Sequence, residues 1–141
     1  MTTAVDTNVL VSLWQADESF SLLAQQALDR ARVRGDIVIC APVYAELVAF
    51  PGRNAAFLEQ FFRDTLIRID WEFVAQDWRE AGKAFQTYAS RRRSSRKGSA
   101  PRRILADFLI GAHASRRGHT LLTLDRGLYS SSFPSLKILE F

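Results

Sequence analysis

Four acidic residues, Asp6, Glu46, Asp107 and Asp125, fall where a short α/β chain could bring carboxylates together. Each lies just past the end of an apolar strand-like run, or early on the helix that follows one. In an open parallel sheet such positions converge on one crevice outside the carboxyl ends of the strands. Converging carboxylates repel each other, and unpaired ones cost several kcal/mol each to bury, so the cluster calls for a cation. Oxygen-only ligands suit Mg2+, with Mn2+ as the alternative. The chemistry such a set could do is a metal-dependent reaction on phosphate.

Taken singly, each residue has a plainer use. Asp6 follows the apolar run Thr3-Ala-Val5 and precedes Thr7-Asn8, a sequence that equally caps a helix. Glu46, among Val43, Tyr44, Leu47 and Val48, could be an ordinary surface residue. Asp107 is the only charge in Ile104-Leu-Ala-Asp-Phe-Leu-Ile-Gly-Ala112. A helix that apolar is largely buried, and a buried Asp needs a partner or a metal. Asp125 closes Leu121-Leu-Thr-Leu and precedes Arg126-Gly127, which also suits a turn. Thr123, two residues earlier and so on the same side of the strand, could bond a carboxylate or a metal-bound water.

The elements that must position these groups are legible in outline. Apolar residues at helical spacing mark a helix after Asp6 and another from about Ser19 to Arg34, stopped by Gly35. Ile37-Val-Ile-Cys40 reads as a buried strand, with Pro42 in the first turn of the helix that carries Glu46. Asn54 can cap a helix bearing Phe57, Leu58, Phe61 and Phe62. Leu66–Ile69 reads as a third strand, followed by a helix from about Glu72 to Ala89. A helix from about Arg102 to Arg117 carries Asp107; Thr120–Leu124 is a fourth strand and Leu136–Leu139 a short fifth. Alternating strands and helices predict one α/β domain spanning 1–141, with a mainly parallel sheet of four to five strands flanked by helices.

Composition agrees with a folded domain. Nearly half of the 141 residues are apolar, with ten Phe and three Trp, which excludes general disorder. The single cysteine, Cys40, rules out an intrachain disulfide framework. No apolar run is long enough to span a membrane and Met1–Asp6 has no basic leader, so a soluble, cytoplasmic protein is expected. The net charge of +4 is unevenly spread. Arg91, Arg92, Arg93, Arg96, Lys97, Arg102 and Arg103 form a strip without an acid; the remaining twelve basic and fifteen acidic residues leave a body of −3. Read as a loop over 91–103, the strip suits a polyanion, though charge runs are often only solvated surface.

Asp6-Thr-Asn-Val-Leu10, the helical Glu46, Ala106-Asp-Phe-Leu-Ile110 with Ala112 and Ala114, and Leu122-Thr-Leu-Asp-Arg-Gly-Leu-Tyr129 together resemble the PIN domain. Within it the chain looks most like the VapC-type toxins of toxin–antitoxin pairs. The pieces occur in the family's order over nearly the whole chain; the basic insert before Asp107 is the clearest departure. The resemblance implies an endoribonuclease that hydrolyses RNA with Mg2+ or Mn2+. Asp6, Glu46 and Asp107 match the family's core acidic positions, Asp125 a less uniform fourth, and Asn8 and Thr123 the accompanying polar residues. It also implies a cognate antitoxin and a homodimer; the basic strip, by its charge and its place before Asp107, is the expected RNA contact. No side chain is an obvious general base, leaving metal-activated water as the expected nucleophile.

Rival readings remain open at this point. A non-catalytic RNA- or partner-binding module could use the basic strip alone. A haloacid-dehalogenase-type phosphatase wants two aspartates after the first strand, but Thr7-Asn8 follow Asp6. A receiver domain wants an acidic pair there too, although Asp70 could imitate its phosphoacceptor. His113 and His119 have no zinc spacing. Trp71 and Trp78 are expected to pack rather than to stack on bases.

Overall fold

Strands β1 (Thr3–Val5), β2 (Ile37–Cys40) and β4 (Thr120–Leu122) are buried along their whole length, as their unbroken apolar or threonine runs require. The computed structural model describes residues 1–94 and 104–139. With edge strands β3 (Arg68–Asp70) and β5 (Ile138–Leu139) they form a five-stranded sheet in the order β3-β2-β1-β4-β5. Every pairing is parallel. The chain builds outward from β1 to β3, then returns to place β4 on the other side of β1. That reversal opens the crevice between β1 and β4 at their carboxyl ends.

Among the described residues seven helices cover the sheet: α1 (Thr7–Leu13), α2 (Glu18–Arg34), α3 (Ala41–Val48), α4 (Ala55–Thr65), α5 (Ala75–Ser94), α6 (Leu105–Arg116) and α7 (Arg126–Ser132). Their starts follow local chemistry. The Asp17 and Asn54 side chains accept the N–H groups of Ser19 and Phe57 at 2.9 Å, and proline opens α3. Helix α6 is buried from Phe108 to Ala114, as its apolar sequence predicts. Gly111 lets it approach the Phe133 ring, since a Cβ there would lie 2.2 Å from that ring's Cε2.

Several expectations are corrected. The third strand is Arg68–Asp70 rather than Leu66–Ile69, because Leu66 ends α4 in a left-handed turn (φ 58°) and only then does the chain extend. Helix α5 starts later than expected and runs on through Arg91, Arg92 and Arg93, so the first part of the basic strip is helical, not a loop. Arg96, Lys97, Arg102 and Arg103 lie outside the described residues. Asp125-Arg-Gly opens helix α7 instead of forming only a turn.

Candidate active site

The end of β1 delivers Asp6. Its N–H bonds the Leu122 carbonyl at 3.0 Å, extending the β1–β4 ladder beyond the Val5–Leu122 pair and setting Asp6 beside Thr123. Asp6 precedes α1, where an N-cap would sit, but its side chain does not cap the helix. Instead Thr123 Oγ1 donates to Asp6 Oδ2 at 2.8 Å, and Thr123 Oγ1 in turn accepts the Asp125 N–H at 3.0 Å. One threonine hydroxyl thus connects the first and fourth acidic positions.

The other residues arrive from neighbouring elements. Glu46, on α3, accepts from Thr7 Oγ1 at 2.7 Å, which ties α3 to the first turn of α1. Asn8 Oδ1 accepts the Leu124 N–H at 3.2 Å, fastening the loop after β4 to the start of α1. Asp107 lies in the first turn of α6, where its Oδ2 accepts the Ile104 N–H at 3.3 Å. Asp125 occupies the N-cap position of α7.

These charges share one field. Burial pushes the Asp6 carboxyl up to about 6, against the Thr123 and Tyr129 hydroxyls, which lower it; the Asp107 charge raises it further. Burial also raises Glu46; Thr7 opposes the shift and Asp107 adds to it. The Tyr129 hydroxyl, wholly buried, is held far above its ordinary value by burial and then by Asp6, Asp107 and Asp125. All four predicted carboxylates therefore act on this neighbourhood, either on one another or on Tyr129. Cys40, also buried here, has its thiol pushed up to about 12 by burial, so it is no nucleophile.

Two participants went unseen in the sequence, Thr7 as a partner of Glu46 and Tyr129. Tyr129 is one helical turn beyond Asp125, a spacing that puts them on one face only once α7 is recognised as a helix.

Asp70 is committed elsewhere. His113 Nε2 lies 2.8 Å and Arg117 Nε 3.2 Å from its Oδ2, which removes it as a phosphoacceptor mimic. The adjoining Asp77, fully buried, meets Arg116 and Arg117 at 3.0 Å each and accepts the Val74 N–H at 2.8 Å. Burial lowers the His113 imidazole despite Asp70, keeping it neutral within the core. Trp71 and Trp78 are 60% and 52% exposed. Each packs against one ring, Tyr44 at 4.9 Å and Phe73 at 6.0 Å.

Helices α5 and α6 run antiparallel. Asp77 near the start of α5 meets the end of α6, whereas Phe85 and Tyr88 meet Phe108 near its start, with ring centroids 5.0 and 5.5 Å apart. The same direction carries Arg91, Arg92 and Arg93 to the Asp107 end of the pair. A cavity of about 380 Å3 between α5 and α7, lined by Lys83, Tyr88, Arg91 and Phe133 among others, includes none of the four carboxylates.

Residues 3–133 match the sequence model of the PIN domain. The chain belongs to the PIN domain family. Members of this family are generally nucleases. The PIN fold is shared with three solved structures. VapBC2 from Rickettsia felis, bound to a DNA fragment from its promoter, superposes with a TM-score of 0.67 at 20% identity, over 100% of this chain and 99% of that one. VapBC-1 from nontypeable Haemophilus influenzae gives 0.65 at 19%, covering 99% and 98%. DNA-bound VapBC from Salmonella typhimurium gives 0.61 at 21%, covering 99% and 98%. No curated protein is detectably similar in sequence.

The donor chemistry fits a divalent cation, because the groups offer only oxygen and, among the described residues, no ion pair neutralises the buried Asp6. The side chains do not form a closed cage. Among the described residues no three His, Cys, Asp or Glu stand as a ready-made ligand set.

Proposed function

We propose that this PIN domain is the toxin of a toxin–antitoxin pair, an endoribonuclease that hydrolyses RNA phosphodiester bonds with the help of Mg2+ or Mn2+. The observation that supports the reading is the placement of Asp6 and Asp125 on the Thr123 hydroxyl at the β1–β4 switch point of a PIN fold, with Glu46 tied to Thr7 on the helix that follows Asp6. Asp6, Asp107, Glu46 and Asp125 would hold the cation, which supplies water activation and neutralises charge on the phosphate. Thr123 orients Asp6, Thr7 orients Glu46, and Asn8 holds the Leu124 loop against them. Arg91, Arg92 and Arg93 stand at the Asp107 end of α5, where they offset the repulsion between this acidic pocket and a polyanion.

The antitoxin partner is supported by the likeness to VapBC structures and by an apolar surface that the core leaves uncovered. Phe20, Leu22 and Leu23 are about half exposed. Trp14 packs edge-on to Phe57 and Phe61 at 5.6 and 5.1 Å, with the Arg53 guanidinium over Trp14 and Phe57. A groove of about 300 Å3 lined by Leu13, Leu28, Phe61 and Ile67 adjoins them and suits the apolar side of a partner helix. Self-association as a homodimer belongs to the same proposal.

The deciding experiment is cleavage of a mixed RNA substrate with Mg2+, with EDTA, and by the Asp6→Asn and Asp107→Asn variants. Cleavage should require the cation and vanish in both variants while circular dichroism stays native. EDTA-resistant cleavage, or a variant of normal activity, would refute the assignment.

A further inference from the structure

The proposed reaction uses the acidic pocket and the end of α5, and leaves the cavity between α5 and α7 without a role. One face of α5 lines it, because Lys83, Thr87 and Arg91 follow one another at four-residue intervals. Ser115 of α6 and the chain from Ser131 to Ser135 complete the wall. At about 380 Å3 it has the size of a small-ligand site.

Its two levels differ in chemistry. Leu128 and Phe133 are buried at the bottom, with the half-buried Tyr88 beside them. Lys83, Thr87 and Arg91 are exposed at the rim. Among the described residues neither Lys83 nor Arg91 has an ion-pair partner. Glu80, the carboxylate on the wall, faces Arg116 Nε at 3.7 Å rather than either of these cations. An aromatic and aliphatic floor under a cationic, hydroxyl-bearing rim matches a nucleotide. The faces of its base are apolar enough to pack on rings, and its phosphate takes Lys, Arg and hydroxyl donors. An acidic peptide would satisfy the rim and leave the floor empty.

The cavity also lies on a path from the acidic pocket. Asp125 precedes α7, and the far end of that helix borders the cavity about 10 Å further on, at about 1.5 Å per residue. Stacked nucleotides advance about 3.4 Å each, so a strand held at the pocket reaches the cavity within about three nucleotides. Arg91 serves both places, since it stands at the rim and at the Asp107 end of α5.

We infer that the cavity between α5 and α7 is a subsite for one nucleotide of an RNA strand, with the base on Leu128, Phe133 and Tyr88 and the phosphate on Lys83 and Arg91. The inference rests on RNA as the substrate of the reading above, and goes beyond it by assigning a second contact outside the acidic pocket.

The test uses EDTA-treated protein, so that binding is read without cleavage, and a short fluorescein-labelled single-stranded RNA followed by anisotropy. Lys83→Gln alters an exposed position, so its melting temperature should hold. It should lower the slope of log affinity against log salt by about 0.7, which at about 0.1 M salt is about fivefold weaker binding and at about 1 M almost none. Arg79→Gln, on the same helix but outside the cavity, should stay within about twofold of wild type. No loss at Lys83, or equal losses in the two variants, overturns the inference and leaves the nuclease reading standing. Wild-type protein that binds no RNA overturns the inference too, and cleavage in Mg2+ then decides the nuclease reading by itself. RNA held through Lys83 but never cut in Mg2+ refutes the nuclease reading and supports the subsite. A second arm reads the base by amide NMR. Adenosine 5′-monophosphate should shift Tyr88, Arg91 and Ser132, more tightly than ribose 5-phosphate does, and the RNA should displace it. Ribose 5-phosphate binding as tightly as the nucleotide, or a nucleotide that RNA does not displace, overturns the assignment.

Discussion

Replacing Asp6 by Asn should stabilise the metal-free protein while abolishing its response to metal. The Asp6 carboxyl rises from 3.8 to about 6 in the fold, chiefly because it is buried. A group whose folded pKa is raised contributes stability below its unfolded pKa and loses it as pH climbs through the folded one. Wild-type stability in EDTA should therefore fall between about pH 4 and 6 and stay low above that window. A shift of about two units at about 1.36 kcal/mol each sets the full effect near 3 kcal/mol. Asn keeps an oxygen for the Thr123 hydroxyl and carries no charge to desolvate. At about pH 8 the variant should gain up to about 3 kcal/mol, less whatever its buried amide N–H groups lose without partners. Saturating Mg2+ reverses the order, since a cation at about a thousand times its Kd adds about 4.1 kcal/mol to wild type alone. Urea unfolding across this pH range, with EDTA and then with Mg2+, reads both effects. A variant no more stable than wild type at about pH 8 in EDTA, or a difference that does not grow with pH, would refute the reasoning.

Gly111→Ala should cost about 1–3 kcal/mol in urea unfolding, because its Cβ would fall 2.2 Å from the Phe133 ring in a packed layer; a loss under half of that would mean α6 can shift freely. Arg117→Ala removes contacts to Asp70 and to the fully buried Asp77, and should cost about 2 kcal/mol at neutral pH. Arg116 and Arg117 hold Asp77 below the ordinary carboxylate range, so that penalty should shrink on acidification, and an unchanged penalty at low pH would contradict the pairing. Reversing Arg91, Arg92 and Arg93 to Glu should raise the KM for RNA and flatten its salt dependence by about 0.7 log units per lost phosphate contact, with turnover nearly unchanged; identical cleavage across a salt series would leave the helix end without a role. Phe20→Asp with Leu23→Glu alters only exposed positions, so the melting temperature should hold while affinity for an antitoxin helix drops by at least about tenfold in calorimetry.

Most of the fold, and the carboxyl end at which its acids gather, was legible along the chain. Ile37–Cys40 could only be a buried strand, Ile104–Ala112 only a buried helix with a lone Asp, and Asn54 and Gly35 marked helix ends through local backbone chemistry. Such features depend on neighbours within about one helical turn or one strand pitch, and sequence displays those directly. Local signals were weakest at ends: Leu66 left its strand by adopting a left-handed turn, and α5 kept winding through three arginines because nothing there breaks a helix. Only the tertiary structure decided which side chains share a carboxylate. Thr7 with Glu46, Thr123 with Asp6, and His113 with Asp70 join residues from separate elements, 39, 117 and 43 positions apart. Helical and strand periodicity say which face a residue occupies but not what stands opposite, and burial sets a carboxylate's charge only when the opposing element arrives.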